Sequence, residues 1–293
     1  MLSSATSATS ATLLTLALAA LFAAHAQAQG LGLSPMRVEF SIQAGTEYQD
    51  SLVVANTSAE AMAVGVEALD FYIDENLEPQ FREVEERGTQ SCRKWIFISQ
   101  RQLALGPRSQ RVVSYSVHFP GELDEGSYHC AIAFTTVVPA EGYAALVTGV
   151  RIVAAIYGTI GRPRPAGRVV EVLLLPADTD EFRRQAAVMV ENTGRMYFRV
   201  NGFFDVINAQ GTRVESLAFS QVPVLPGTTQ RFLFPLHTDL TQGQTVRVRA
   251  LLPNGGPAID YRQPAIRPTS EAQTPAPGAE PPERYRNPQI LKR

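Results

Sequence analysis

The sequence predicts an all-β protein built from two β-sandwich domains in tandem. Short runs of alternating apolar and polar residues recur along the chain, for example in Met36–Phe40, Val64–Ala68 and Val113–Phe119, and turn residues separate such runs. This alternation is typical of a strand that has one face in a core and the other in water. Long stretches with the apolar spacing of an amphipathic helix do not occur, so we expect strands and turns to supply the fold.

The second half of the chain repeats the pattern of the first half. Val54–Ser58 (VANTS) is echoed by Val190–Gly194 (VENTG), and Leu105–Arg111 (LGPRSQR) is echoed by Leu225–Arg231 (LPGTTQR). The two motifs lie further apart in the first half, which carries an additional acidic stretch at residues 74–90. We therefore expect two domains of one architecture, with an insertion in the first.

The amino-terminal residues predict export. Leu13–Ala24 is an apolar run too short to span a bilayer as a helix, and the small-x-small sequence Ala26-Gln27-Ala28 follows it. This order is typical of a cleaved signal peptide, which we assign to residues 1–28. Met1–Thr12 contains no lysine or arginine, which departs from the usual pattern. No later segment is long and apolar enough to predict a membrane span.

Prolines divide the rest of the chain. Pro163, Pro165 and Gly167 favour an extended linker, so we expect the first sandwich at 29–161 and the second at 162–262. Residues 263–293 are rich in proline, alanine, glutamate and arginine and poor in large apolar residues. Such a segment cannot bury enough surface to offset the entropy of ordering, so we expect a disordered tail.

The stretch Glu122–Phe134 (ELDEGSYHCAIAF) is typical of the corner that leads into strand F of an immunoglobulin-like sandwich. Tyr128, two residues before Cys130, has the position of the tyrosine that closes this corner. The other cysteine is Cys92. In an oxidising compartment we expect the two to form a disulfide, and two separate buried thiols are the alternative.

The position of Cys92 excludes an antibody-type bridge. Cys92 lies three residues before Trp95 and not on the predicted strand Leu52–Ala55, where an antibody-type domain would have it. The bridge would instead tie the inserted crossover to strand F. We expect Trp95–Ile98 to form a buried strand.

Four segments of the first half carry a family resemblance. They are LSPMRVEF at Leu33–Phe40, AGTEYQDSLVVANTS at Ala44–Ser58, KWIFISQRQLALGPRSQRVVSYSVHFP at Lys94–Pro120 and EGSYHCAIAF at Glu125–Phe134. Together they resemble the PapD-like periplasmic pilus-assembly chaperones, over residues 31 to 160, and the second half fits the two-domain plan with weaker motifs. The resemblance implies two immunoglobulin-like domains, a periplasmic location, and the folding or assembly of a pilin-like or other surface subunit.

The resemblance also implies a binding mode. Chaperones of this family donate the last strand of their first domain to the partner by β-augmentation, and they hold its terminal carboxylate with an arginine and a lysine. Arg37 matches the arginine position. The lysine has no match, and the nearest cation on the candidate strand Tyr143–Ile160 is Arg151. Val147 and Val153 are the further candidates for partner contacts.

Three alternatives remain open. Arg37 can form a surface ion pair near Glu39. The strand at Tyr143–Ile160, where Gly149 and Arg151 interrupt one face, can be buried on both faces inside a sheet. The protein can also be a structural or adhesive envelope module that has this fold without strand donation, because a fold does not determine a function.

The residues give no basis for catalysis or for a cofactor. The histidines show no metal-ligand spacing, and neither a hydrolase elbow nor a phosphate loop occurs. The formal net charge is −2 and the arginines interleave with acids, so no polybasic face for nucleic acid is predicted. The acidic stretch at residues 74–90 can hold calcium, but Arg82 and Arg87 lie within it and we expect a solvated loop.

Overall fold

The computed structural model describes residues 30–82, 90–137, 149–176, 181–182 and 184–265. The predicted signal peptide and the predicted tail from residue 266 onward lie outside these ranges. Within them the chain forms strands and a single 3-10 turn, and no α-helix occurs in this described part. The prediction of an all-β fold is confirmed.

The described chain forms two compact units, each of which is an antiparallel β-sandwich of the immunoglobulin-like type. The first unit consists of the residues up to Asp70, Phe81–Asp124 and Tyr128–Gly158, and the second of Phe71–Gln80, Glu125–Ser127 and the residues from Thr159. The prediction of two tandem sandwiches is therefore confirmed.

The strands of the first half build two sheets. The strands are β1 Leu31–Ser34, β2 Arg37–Ile42, β3 Glu47–Asn56, β4 Met62–Ile73, β5 Pro79–Arg82, β6 Ile96–Ile98, β7 Gln102–Leu105, β8 Gln110–His118, β9 Gly126–Val137 and β10 Arg151–Ile160. One sheet has the order β1-β3-β8-β6, and the other has the order β2-β10-β9-β4-β5 with β7 paired to β4. The chain changes sheets between β1 and β2, where the Ser34–Pro35 peptide bond is cis.

The core of the first unit follows the alternation in the sequence. Every second residue of the main strands is fully or almost fully buried, and these residues include Leu52, Val54, Val113, Val117, Ile132, Phe134, Ala154 and Ile156. Burial of one large aliphatic or aromatic side chain contributes about 1.5–3 kcal/mol. The period of two thus gives each sheet one apolar face, and these two faces meet in one core.

Asn56 closes the end of the first sandwich. It is 1% exposed at the end of β3. Its Nδ2 donates to Glu60 O at 2.6 Å and to Gly106 O at 2.9 Å, and its Oδ1 accepts from Ser58 N–H at 2.9 Å. One buried amide therefore joins the end of β3 to the turn between β7 and β8, and it satisfies backbone groups that would otherwise be unpaired.

The strands of the second half also build sheets that face one core. They are β11 Gly167–Pro176, β12 Arg184–Asn192, β13 Phe198–Arg199, β14 Asn201–Ile207, β15 Arg213–Ala218, β16 Pro223–Val224, β17 Thr229–Leu236, β18 Thr245–Leu251 and β19 Ala258–Pro264. The sheet orders are β11-β12-β17 and β15-β14-β18-β19, with β13 paired to β16. Phe219 packs edge-on against Phe232 and Phe234 in the core, with ring centroids 5.0 and 4.9 Å apart.

Asn192 repeats the role of Asn56 in the second unit. It is 1% exposed. Its Nδ2 donates to Met196 O and to Val224 O, both at 2.9 Å, and its Oδ1 accepts from Gly194 N–H at 2.9 Å. The two echoed sequence motifs are therefore the two sides of one hydrogen-bonded closure that occurs once in each sandwich.

Cys92 and Cys130 form a disulfide, with their Cα atoms 5.2 Å apart, which confirms the predicted bridge. Both residues are fully buried. The segment before Cys92 lies along β9, because Cys92 N–H donates to His129 O at 3.1 Å and His129 N–H donates to Gln90 O at 2.9 Å. The bridge thus ties the crossover after β5 to strand β9.

The prediction that Trp95–Ile98 is a buried strand is wrong. Arg93–Trp95 is a 3-10 turn, and β6 is a three-residue strand at the edge of its sheet. Trp95 packs with its ring centroid 5.5 Å from that of Tyr128 and is half-buried, whereas Phe97 is 69% exposed. An apolar run cannot be buried throughout where a short edge strand has only one face against the core.

The acidic stretch begins with an ordered turn. The Asp74 carboxylate accepts from Asn76 N–H at 2.9 Å, from Glu78 N–H at 2.9 Å and from Gln80 Nε2 at 2.7 Å. These backbone and side-chain hydrogen bonds, the bond from Glu78 first, hold the pKa of Asp74 below its usual value. Residues 83–89 of the stretch lie outside the described residues.

Candidate partner-binding edge

Among the described residues, one half of β10 has a neighbouring strand on only one side. On the side away from β9, β2 begins next to Ala155, whose N–H donates to Met36 O at 3.0 Å. Phe40 lies close to Gly158, so β2 follows the carboxyl-terminal half of β10 in the same direction. Of the described strands only β2 and β9 pair with β10. We call Arg151–Val153 the open edge.

The backbone groups of the open edge alternate between its two sides. Thr136 N–H donates to Val150 O at 2.9 Å and Val150 N–H donates to Thr136 Oγ1 at 2.9 Å, so the backbone of Val150 faces β9. The backbone N–H of Ala155 faces the opposite side. Since N–H and C=O groups alternate in direction along a strand, Arg151 and Val153 direct theirs to the side without a described strand.

The inner face of β10 is progressively less buried toward its start. Ala154 and Ile156 are fully buried, whereas Val150 and Ile152 are half-buried. Of the candidate contacts, Val153 is half-buried on the outer face of this segment. Val147 lies outside the described residues.

Arg151 links three strands on the outer face of the sheet. Its Nη2 lies 2.9 Å from Glu67 Oε1 on β4, and its Nε donates to Thr135 Oγ1 on β9 at 3.1 Å. The side chain of Arg151 is 43% exposed, so this ion pair contributes about 0–1 kcal/mol. A guanidinium has N–H groups beyond those two, so Arg151 can still donate to a partner's carboxylate.

Arg37 forms a local ion pair. Its Nε lies 3.2 Å from Glu39 Oε1, and its side chain is 58% exposed. Because Met36 pairs with Ala155, Arg37 lies beside the second half of β10, about 16 Å along the strand from Arg151 at roughly 3.3 Å per residue. The structure therefore does not bring Arg37 and Arg151 together, and each has a carboxylate of its own.

Met36 is a feature of this region that the sequence did not reveal. Its place in an alternating run predicts a core residue, but the side chain is 56% exposed. The reason is the change of sheets between β1 and β2. Met36 belongs to this crossing and precedes β2, so the alternation of buried and exposed side chains begins only at Val38. Met36 lies next to the open edge and adds apolar surface to it.

Tyr128 lies at the corner that the sequence predicts. Its hydroxyl donates to Asp124 O at 3.0 Å, and its ring packs edge-on against Trp95 and Phe119. The corner fixes the start of β9, the strand that carries Cys130 and supports β10 on its paired side.

In the described ranges, no cluster of three or more histidine, cysteine, aspartate or glutamate side chains is arranged to hold a metal ion. The same ranges contain no helix of the length and apolarity that a membrane span requires.

Comparisons with known proteins find solved structures but no sequence relatives. No family model matches the chain, and no curated protein matches it. A class 5 fimbriae chaperone, CfaA, is 9% identical with a TM-score of 0.44, and the alignment covers 81% of this chain and 100% of that one.

Two further structures are of the same kind. The CupB2 chaperone of Pseudomonas aeruginosa is 14% identical, with a TM-score of 0.41 and coverage of 80% of this chain and 100% of that chain. A structure of the CsuC-CsuE chaperone-tip adhesion subunit complex from archaic Csu pili of Acinetobacter baumannii gives 9% identity, a TM-score of 0.43, and coverage of 81% and 100%. All three of these solved structures contain a chaperone.

Proposed function

We propose that the protein is an exported, non-enzymatic chaperone of the periplasm that binds a strand of a pilin-like or other surface subunit at the open edge of β10. The observation that carries the proposal is the direction of the backbone groups of Arg151 and Val153, which point to a side where no described strand pairs with them. A strand with free backbone donors and acceptors on one side is what β-augmentation requires.

The side chains around the open edge support the same function. Val150 and Ile152 are half-buried on the inner face, and Met36 is exposed at the end of the open edge, next to Ala155. An added strand would cover this apolar surface and would form main-chain hydrogen bonds in the same step. Arg151 would direct its remaining N–H groups toward a carboxylate of the partner.

Two further features support export to an oxidising compartment. The predicted cleavage sequence Ala26-Gln27-Ala28 follows a short apolar run. The Cys92–Cys130 disulfide is the kind of buried bridge that forms and persists outside the cytoplasm.

Substitution of Val153 tests the proposal. Val153→Pro removes the N–H that would bond a partner strand, and proline is tolerated where a strand edge has no neighbour. Val153→Ala is the matched control, because it shortens the side chain and keeps the N–H. The full chain is expressed with a tag in its native host and isolated from the periplasmic fraction, and bound subunits are identified by mass spectrometry.

We expect the wild type and Val153→Ala to retain a stoichiometric subunit and Val153→Pro to lose it, with the far-UV circular dichroism unchanged. Equal retention by the proline variant would refute binding at this edge.

A second candidate is a structural or adhesive envelope module without strand donation. It is favoured by the ion pairs of Arg37 with Glu39 and of Arg151 with Glu67, because both candidate anchors already have carboxylate partners. Such a module would be isolated from the same fraction as a stable protein with no bound subunit in any of the three forms.

A further inference from the structure

An acidic residue lies on the core-facing side of β3. Asp50 has the same orientation as Leu52 and Val54, which are completely buried, yet Asp50 is exposed. Beside Asp50, β3 pairs with β8, whereas the described pairing with β1 covers only Val53–Asn56. Asp50 thus lies at an exposed end of the row of core residues on β3.

The carboxylate of Asp50 has acceptor capacity to spare. Its Oδ1 accepts from Ser51 N–H at 2.8 Å, and its Oδ2 accepts from the Tyr48 hydroxyl at 2.8 Å. A carboxylate offers about four lone-pair sites, so roughly half of them remain. Among the described residues, the ion pairs of arginine side chains involve other carboxylates and not Asp50.

Tyr115 lies directly opposite Asp50 in the pairing of β3 with β8. The residue is 3% exposed, and its buried hydroxyl has no hydrogen-bond partner among the described residues. A buried hydroxyl without a partner is unfavourable and calls for a ligand or a neighbouring group to satisfy it. Residues directly opposite each other in an antiparallel pair have their side chains on the same face of the sheet, so Tyr115 shares a face with Asp50. Burial first, and then the charge of Asp50, raise the pKa of Tyr115.

The ring of Phe40 stacks on the ring of Tyr48, whose hydroxyl bonds to the Asp50 carboxylate. Their rings stack with centroids 3.6 Å apart and planes within 5° of parallel. Burial and the hydrogen bond to Asp50 raise the pKa of Tyr48 to about 12, so at neutral pH its hydroxyl keeps its proton. An anionic carboxylate next to neutral phenols and aromatic rings is the chemistry that recognises organic cations.

A metal ion fits these residues poorly. Calcium takes about six to eight oxygen ligands and usually several carboxylates, whereas this cluster has one carboxylate and two phenols. No group of three or more acidic, histidine or cysteine side chains suited to a metal occurs in the described ranges.

We propose that Asp50, Tyr48 and Tyr115 form a binding site for an alkylammonium or guanidinium group. The cation donates N–H bonds to the free lone pairs of the Asp50 carboxylate and to the oxygen of Tyr115, which supplies the partner that this hydroxyl lacks. The rings of Tyr48 and Phe40 flank the alkyl part. This site does not depend on strand binding at β10.

The test uses the full chain with 13C-labelled tyrosine rings, which gives nine ring signals to follow by NMR. The rings of Tyr48 and Tyr115 are assigned from the Tyr48→Phe and Tyr115→Phe variants. Titration with n-butylammonium chloride is expected to shift both rings in a saturable way. Equal concentrations of 1-butanol and sodium chloride supply the apolar and ionic controls and are expected to leave the rings unshifted.

Two charge variants separate the site from general electrostatics. Asp50→Asn keeps the size of the side chain and one acceptor oxygen, which can still accept from Ser51 N–H, while its NH2 group can donate to the oxygen of the Tyr48 hydroxyl. It is expected to weaken butylammonium binding by about tenfold or more because the charge-assisted bonds are lost. Glu47→Gln, which removes a carboxylate from the opposite face of the same strand, is expected to leave the affinity unchanged. An unchanged affinity in Asp50→Asn would overturn the proposal, as would an equal ring shift with calcium chloride.

Tyr115→Phe distinguishes a binding role from a structural one. We expect weaker butylammonium binding with an unfolding midpoint equal to or above that of the wild type, because the hydroxyl has no partner in the free protein. A lower midpoint with unchanged affinity would contradict the proposal. A peptide with a single internal lysine, compared with free putrescine, then shows whether the cation comes from a polypeptide or from a small amine, according to which binds more tightly.

Discussion

Asn56 and Asn192 each join a strand end to a distant turn through one buried amide. Asn56→Ala leaves two backbone carbonyls of the first sandwich without their donor, and we expect it to lower the free energy of unfolding of that unit by about 1–3 kcal/mol. Urea unfolding monitored by tryptophan fluorescence reports on this unit, because the one tryptophan, Trp95, belongs to it. Gln102→Ala, at an exposed position of the same unit, is the control, and an equal effect of both variants would count against the closure.

Tyr128 supports its corner through both its hydroxyl and its ring. Tyr128→Phe removes the hydrogen bond to Asp124 O and keeps the packing against Trp95 and Phe119. We expect a loss of about 1 kcal/mol in the free energy of unfolding, measured by the same urea titration. Tyr128→Ala is expected to cost several times more, and similar losses for the two variants would mean that the ring does not contribute.

Asp260 gives the second unit a defined dependence on pH. Two hydrogen bonds from Arg247, at 2.8 and 2.5 Å, hold the pKa of Asp260 at about 2, below the unfolded value of about 3.9. Since the folded pKa is the lower one, this stabilisation is present above about pH 4 and is lost as the pH falls toward about 2. As the pH is lowered from about 5 to about 2, the urea concentration at which the second unit is half unfolded should fall more steeply for the wild type than for Asp260→Asn. Far-UV circular dichroism, which detects both units, is the readout. Parallel curves would show that the ion pair does not stabilise the fold.

At the scale of the element, the disulfide fastens the crossover between β5 and β6 to β9. The two cysteines are 38 residues apart in sequence, and closure of such a loop restricts the unfolded chain. On the chain-entropy estimate, reduction should lower the free energy of unfolding of the first unit by about 3–4 kcal/mol. Urea unfolding with and without a phosphine reductant measures the effect. The Cys92→Ala/Cys130→Ala double variant should be insensitive to the reductant, and an insensitive wild type would contradict the prediction.

Individual strands were predictable where the alternation was regular and not where the chain changes direction. The run from Val113 to Val117 became a strand with one buried face because both of its neighbours in the sheet are present. The run from Trp95 to Ile98 is apolar at every position, but it lies at a sheet edge and exposes Phe97. The local sequence shows the alternation that is typical of a strand. It does not show how many faces of that strand are buried, because this depends on distant parts of the chain.

The open edge of β10 was likewise only partly predictable from the local sequence. Val153 and Arg151 could be selected from the sequence because they lie on the candidate last strand. Which side of that strand lacks a neighbour depends on the crossing from β1 to β2, and that crossing also determines the exposure of Met36. The sequence shows a proline at this point, but not the sheet to which the next strand belongs.

At the scale of the whole molecule, the alternation of apolar residues predicted a sandwich, and the repeated asparagine motifs predicted a second domain of the same architecture. The motifs recur because each domain has the same closure, in which the asparagine amide donates to a carbonyl within or directly before the second motif. The chain is only 9 to 14% identical to the proteins of the three solved structures described above. Function therefore has to be argued from the open edge of β10 and not from the fold.

The most direct test of strand binding at β10 is amide hydrogen exchange on the full chain, alone and in its complex with the subunit isolated from the periplasmic fraction. In the free protein the N–H groups of Arg151 and Val153 should exchange rapidly, and the N–H of Ala155, which bonds to Met36 O, should be protected. In the complex, Arg151 and Val153 should become protected while Ala155 stays unchanged. A complex in which Arg151 and Val153 exchange as fast as in the free protein would contradict the account.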